Sequence, residues 1–294
     1  MGQGPRVSLS CELLEDRLQP TVTYHGGALL PHVQPEAVYI GSNWATYQGY
    51  MKIRALDTYL SFLVQSPYMD ALTQAGYAVG RGFAVSGAII PTPLNPSYYF
   101  TDAQIQYSLQ WAISTGRVYP PNGNRLYVVY IEPGIAVWDG TGDSISDFIG
   151  YHGAFGGRNA AGQPIDIHYA VMPYPGGWNG SPQSQGFPTN FAQLTAVTSH
   201  ELAEAVTDPN VDYKAPGWYD DQLNVEIGDL TPYAVRVLGG YYVQLTIDKT
   251  DHVLNVAGAA APRSGAAPTG GPGGNGFDAN HVADLEANWG VRVG

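Results

Sequence analysis

A single cysteine, Cys11, stands in 294 residues, so no disulfide can form within the chain. Secreted eukaryotic domains with many turns usually carry several bridges, so a bacterial surface or secreted protein, or a cytosolic one, fits better. Charge is scarce too, at 13% of residues against about a quarter in ordinary domains. Cations are the scarcest: 13 Lys and Arg against 25 Asp and Glu leave a formal net charge of −12. There is no basic stripe, so nucleic acid is excluded as a partner and an anionic membrane surface is disfavoured. No run reaches the roughly 18 apolar residues of a membrane-spanning helix, so no membrane insertion is expected. The N-terminal MGQGPRVSLSCELLEDRLQPT lacks the apolar region of a standard signal peptide. Position 6 is Arg where a myristoylation signal carries Ser or Thr, which argues against that anchor.

Glycine and proline are plentiful, at 37 and 22 residues, and Tyr reaches 21. Hydrophobic content of 44% can still supply a core, which rules out charge-driven disorder. Low charge with abundant Tyr, Asn, Gln, Gly and Pro is the composition of an exported protein. Residues 1–22 read as a processed or flexible leader. Residues 257–294 read as a Gly/Pro/Ala-rich tail, with one short helix from Asn280 to about Asn288. The folded body is expected at 23–256, without internal repeats.

Within that body, 36–41, 82–90, 125–133 and 166–174 read as strands. The continuous apolar run of 125–133 suits a buried central position. Ile53, Leu56, Leu60, Leu63 and Val64 share one face of a helix predicted from Gln48 to Gln65. Thr101 and Gln104 form a capping box that opens a helix to Thr115. Thr189 to Asp208 is the clearest helix, and 241–248 with 252–256 read as a closing hairpin. The expected fold is α/β, or α+β: a mixed sheet with an active-site helix and a smaller C-terminal subdomain.

One constellation carries chemistry. The run His200-Glu201-Leu202-Ala203-Glu204 places His200 and Glu204 on one helical face at i and i+4. That spacing brings two ligands to one metal ion and leaves Glu201 beside it as general base. It is the HExxH arrangement of zinc peptidases with Glu at the second His, which defines a zincin-like expectation. A third ligand must come from elsewhere, and the carboxylate-rich 217–230 follows closely. Glu226 is the first choice, with Asp229 either steadying His200 or serving as the ligand itself. His152 and His168 are alternatives, because imidazole is the commoner zinc donor. Tyr219 is a candidate hydrogen-bond donor to a developing oxyanion. The exchange of His for carboxylate hardens the site, so Mn or Ca can compete with Zn. An HExxE run also arises by chance on solvated helices; here the helix is too apolar for that, and a buried unpaired carboxylate is expensive.

The pieces YHGGALLPHVQPEAVYIG (24–41), FTDAQIQYSLQWAISTGRV (100–118), LYVVYIEPGIAV (126–137) and GYHGAFGG (150–157) resemble the EXORDIUM, or phosphate-induced protein, family, in that family's order. SHELAEAVTDP followed by GWYDD and VEIGDL is similar to its bacterial branch, although Leu230-Thr231 stands where many relatives show a Cys. LLEDRLQP resembles the N-terminal segment of planctomycete exported proteins. The resemblance implies a secreted or cell-surface bacterial protein with possible cell-wall association. Plant members have largely lost the His and Glu and have no established catalytic activity.

Taken together these readings predict an exported zinc metallohydrolase acting on a peptide or protein. Its metal set is His200, Glu204, Glu226 and Asp229, and its catalytic residues are Glu201 and Tyr219. The rival is a non-catalytic, carbohydrate-associated cell-surface protein with a structural metal site. A third option is a calcium site built from Asp212, Asp220, Asp221, Glu226 and Asp229. GYHGAFGG reads as a tight loop holding a structural His152. His168 faces core or cleft on 166–174, the strand expected to lie at the edge beside the helix and bind substrate backbone. Trp218 reads as packing and WDGTGDSISD (138–147) as a polar loop. Asn179-Gly180-Ser181 matches a glycosylation sequon.

Overall fold

The computed structural model describes residues 22–262, apart from 96, 212–214 and 233. Residues 1–21 of the expected leader, the Asn280–Asn288 helix and Asp212 of the calcium option therefore lie outside the described residues, while Val22, the leader's expected last residue, is buried in the first strand. Strands β1 (Val22–Tyr24) and β2 (Gln34–Ile40) are followed by helices α1 (Tyr47–Leu63) and α2 (Pro67–Gln74) and by β3 (Val85–Ile90). Next come β4 (Phe100–Thr101), α3 (Asp102–Ser114), β5 (Arg125–Ile131) and β6 (Val137–Trp138). Strands β7 (Tyr151–Arg158) and β8 (Pro164–Pro173) precede α4 (Asn190–Thr207), and β9 (Trp218–Asp220), β10 (Val235–Leu238) and β11 (Tyr241–Gln244) follow it.

The main sheet has the order β3-β2-β5-β8-β7, and the fold is mixed α/β. Its first four strands run parallel, and β7 lies antiparallel to β8. Central β5 is buried along its whole length, as its unbroken apolar run predicts. Its residues alternate between two cores. Val128 and Tyr130 join Leu56, Leu60, Leu72, Leu194 and Val206 from α1, α2 and α4, whereas Val129 and Ile131 meet Ile105, Leu109 and Ala112 of α3. Each fully buried Leu contributes roughly 1.5–3 kcal/mol. The capping box of α3 forms as expected, with Thr101 N–H donating to Gln104 Oε1 at 2.9 Å and Gln104 N–H to Thr101 Oγ1 at 3.4 Å.

Four expectations are corrected. The helix predicted to Gln65 stops at Leu63, because Ser66 caps a new helix with Pro67 in its first turn. GYHGAFGG is no loop: it forms β7, whose cross-strand pairing overrides the low strand preference of its glycines. Segment 166–174 is therefore not the edge, since β7 covers β8 on that side. The closing hairpin forms in part: 241–244 pairs with 235–238 instead, while 246–248 meets 252–254 through an Ile247–Val253 bridge and the bonds Asp248 N–H to His252 O and Leu254 N–H to Thr246 O, each 2.8 Å. Leu238, Val243, Leu245 and Val256 join the core under α1 and α4, while Tyr242, Val235 and Val237 pack with Ala192 and Ala196 of α4 in a small separate cluster. Backbone bonds between Val237 and Ala260 tie down the first residues of the expected tail. Among the described residues no helix is long and apolar enough to cross a membrane.

Candidate metal centre

Helix α4 opens at Thr189, whose hydroxyl accepts from Ala192 N–H at 3.0 Å, and ends at Asp208. All of its residues except Phe191 and His200 are buried, because sheet and C-terminal hairpin cover it from two sides. The carboxylates of Glu201 and Glu204 thus lie in the interior, where a bare charge costs several kcal/mol. Each must be met by positive charge or donors. His200 Nε2 lies 3.1 Å from Glu204 Oε2, 3.7 Å from Asp229 Oδ1 and 4.0 Å from Glu201 Oε1.

A second imidazole enters from β7, where pairing opposite Ala170 holds His152 against the helix. Its side chain is 3% exposed, and its Nδ1 sits 3.3 Å from Glu201 Oε2 and 3.7 Å from Glu204 Oε2. Its Nε2 is 3.1 Å from the Asp208 carbonyl and 3.3 Å from Glu226 Oε1. The sequence offered His152 only as an alternative ligand; its flanking glycines disguised the strand that delivers it. Two glycines, one beside His152 and one after α4, matter for space. A Cβ on Gly150 would stand 2.8 Å from Glu201 Oε1, and one on Gly228 would stand 2.7 Å from Glu204 Oε1 and 2.8 Å from His200 Nδ1. Gly228 N–H also donates to Glu204 Oε1 at 3.2 Å. Gln244 on β11 fixes this turn, its Nε2 donating to the Gly228 carbonyl at 2.9 Å. No local sequence signal marked Gln244.

The electrostatics follow from this crowding. Burial alone would lower the His200 imidazolium, but Glu204, Glu201 and Asp229 outweigh it and push it up to about 10. His152 is driven well above its usual range by Glu226, Glu201 and Glu204 against the same burial. Burial raises Glu204, with His200 pulling the other way, and burial likewise raises Asp229.

The remaining candidates divide clearly. Glu226 reaches His152 rather than His200, whereas Asp229 reaches His200. Tyr219 on β9 lines a small cleft together with Asp208, Asn224, Glu226 and Asp229. His168 is not in the cluster; its Nε2 bonds Asn210 Oδ1 at 2.8 Å, and burial lowers its pKa. The acids of the calcium option are dispersed: Asp220 Oδ1 accepts from the Gln222 and Leu223 amides, and Asp221 pairs with His25 at 3.2 Å. Trp218 packs against Tyr24 and Tyr77, and Asp139 and Asp143 accept hydrogen bonds from their own loop. Asn179 is buried, with its amide donating to the Ile135 and Tyr174 carbonyls, so this sequon does not present an acceptor to solvent.

Two groups therefore have the donor types and spacing for a metal: His200, Glu204 and Asp229; and His152, Glu201 and Glu204. Tetrahedral zinc with bonds of about 2.05 Å holds its ligand atoms about 3.3 Å apart. The 3.1 and 3.7 Å separations around His200 match that spacing. Comparison with protein-family models, with curated proteins and with solved structures found no match to this chain.

Proposed function

We propose that this protein is an exported, zincin-like zinc metallohydrolase that cleaves peptide bonds, with His200, Glu204 and Asp229 as metal ligands and Glu201 as general base. The observation that carries this reading is the convergence of His200 Nε2, Glu204 Oε2 and Asp229 Oδ1 at metal-ligand spacing. The resemblance of 24–41, 100–118, 126–137 and 200–230 to bacterial EXORDIUM-like proteins supports it, and with the low-charge composition supports a secreted or cell-surface setting. An imidazole with carboxylates suits zinc, and the anionic set leaves Mn or Ca as competitors.

When bound, such an ion supplies Lewis acidity beside a scissile carbonyl. The chain supplies the rest. Glu201, held at i+1 from His200, accepts the proton of an attacking water at its carboxylate. Tyr219 stands at the cleft, where its hydroxyl can donate to a developing oxyanion. Strand β7 is the terminal strand of the sheet beside α4, and an extended peptide adding to such an edge gains main-chain hydrogen bonds.

The test is hydrolysis of an unfolded protein such as casein by zinc-loaded chain and by Glu201→Gln. The variant should keep its zinc and lose activity by roughly 10²- to 10⁴-fold. Retention of both metal and activity would falsify the mechanism. A second reading, a carbohydrate-associated wall protein with a structural metal, draws on a groove lined by Ile90, Tyr107, Trp111 and Arg117, with the guanidinium 4.7 Å from the Trp111 ring. It predicts glycan binding with no dependence on Glu201.

A further inference from the structure

We propose that His152, Glu201 and Glu204 form a second, weaker divalent-cation subsite, so that excess metal captures the general base and silences the centre. This rests on the metallohydrolase reading and adds its regulation. The group's donor atoms lie within 4.8 Å of one another, like those of the first set. His152 Nδ1 stands 3.3 and 3.7 Å from the Glu201 and Glu204 oxygens, close to the spacing of ligands around one ion.

The ring is oriented for ligation. Its Nε2 lies 3.1 Å from the Asp208 carbonyl, which can only accept, so Nδ1 is the nitrogen turned to the two carboxylates, and a bound ion would take the place of the proton it carries there. Metal-bound imidazoles are commonly fixed in this manner, with the far N–H given to a carbonyl. The side chain is 3% exposed, so the arrangement is held by packing rather than by solvent.

Charge favours a second ion. Glu201, Glu204, Glu226 and Asp229 supply four carboxylates around two imidazoles, and one dication balances half of that charge. The subsite is the weaker one because it shares Glu204 with the first and its ion faces a like charge across that carboxylate. Glu201 is claimed by the second ion through the same carboxylate that would take the water's proton. Occupancy of the second subsite is therefore incompatible with general-base action.

The experiment is equilibrium dialysis of the whole chain against zinc, with manganese electron paramagnetic resonance alongside. Wild type should bind two classes of ion, the second at least about tenfold weaker, with exchange-coupled manganese at two equivalents. His152→Gln and Glu201→Gln should keep the tight class, weaken the second by about 10- to 100-fold, and lose the coupling. His200→Ala should lose the tight class. A single class in wild type sinks the second subsite and leaves the metallohydrolase reading standing. No bound metal overturns both. Loss of the tight class in a folded His152→Gln protein, judged by circular dichroism, would place His152 in the first site and overturn the assignment.

Discussion

Gly228 shows how little room the centre leaves. A methyl there would sit 2.7 Å from Glu204 Oε1 and 2.8 Å from His200 Nδ1, displacing two of the proposed ligands. Gly228→Ala should therefore weaken zinc binding by about 10-fold or more, read by dialysis, since ligand placement within about 0.5 Å decides such sites. A zinc affinity equal to wild type would mean that the turn yields without moving Glu204. Lys52 offers a separate test, of stability. It is 8% exposed on α1, with its ammonium 4.9 Å from the Tyr174 ring. Burial lowers it from 10.5 to about 8. Below pH 8 both states carry the proton, and the folded state bears the whole desolvation penalty. Between about 8 and 10.5 the unfolded chain binds more protons, so this group's contribution to stability rises with pH. Lys52→Met should be more stable than wild type at pH 7, and that advantage should fade by about pH 10.5 in urea melts. A difference independent of pH would exclude desolvation of Lys52 as its source.

At the scale of elements, periodicity carried the reading where one face of a segment is buried. Helix α4, with His200, Glu201 and Glu204 in register, and the capped start of α3 were legible for that reason. The capping box makes a direct prediction: Thr101→Ala should cost about 1 kcal/mol, since it strands the Gln104 amide and leaves Gln104 Oε1 only the backbone donor. An unchanged urea midpoint would show that β4 holds the helix start unaided. Strand β7 was not legible. Its Tyr-His-Gly-Ala-Phe-Gly-Gly run carries turn residues, and only pairing with β8, from Tyr151–Val171 to Arg158–Pro164, makes it a strand. The choice between Glu226 and Asp229 was open for a related reason. Both lie in a turn whose position is set by Gln244, 16 residues further on, and by the amide of Gly228 on Glu204. Such long-range ties leave no local pattern.

At the scale of the molecule, the centre joins parts that the chain brings together from far apart. Asp229 and Glu226 come from the segment after α4, His152 from the sheet edge, and His200, Glu201 and Glu204 from the helix packed between sheet and hairpin. An ion that binds only this assembly stabilises the native state by about 4 kcal/mol when free metal is about 1,000 times Kd. For a chain of this size each kcal/mol moves the melting temperature by about 2–4 °C, so chelation should lower it by on the order of 10 °C. Glu201→Gln leaves the three proposed ligands His200, Glu204 and Asp229 in place and should keep that shift. His200→Ala should lose the larger part of it, keeping only the smaller shift that the weaker His152, Glu201 and Glu204 subsite supplies. Calorimetry of the three proteins in zinc and in chelator separates the roles, because stability reads ligation and hydrolysis reads the base. If chelation leaves wild-type melting unmoved, no ion bridges these elements, and the buried carboxylates are balanced by protonated His152 and His200 alone.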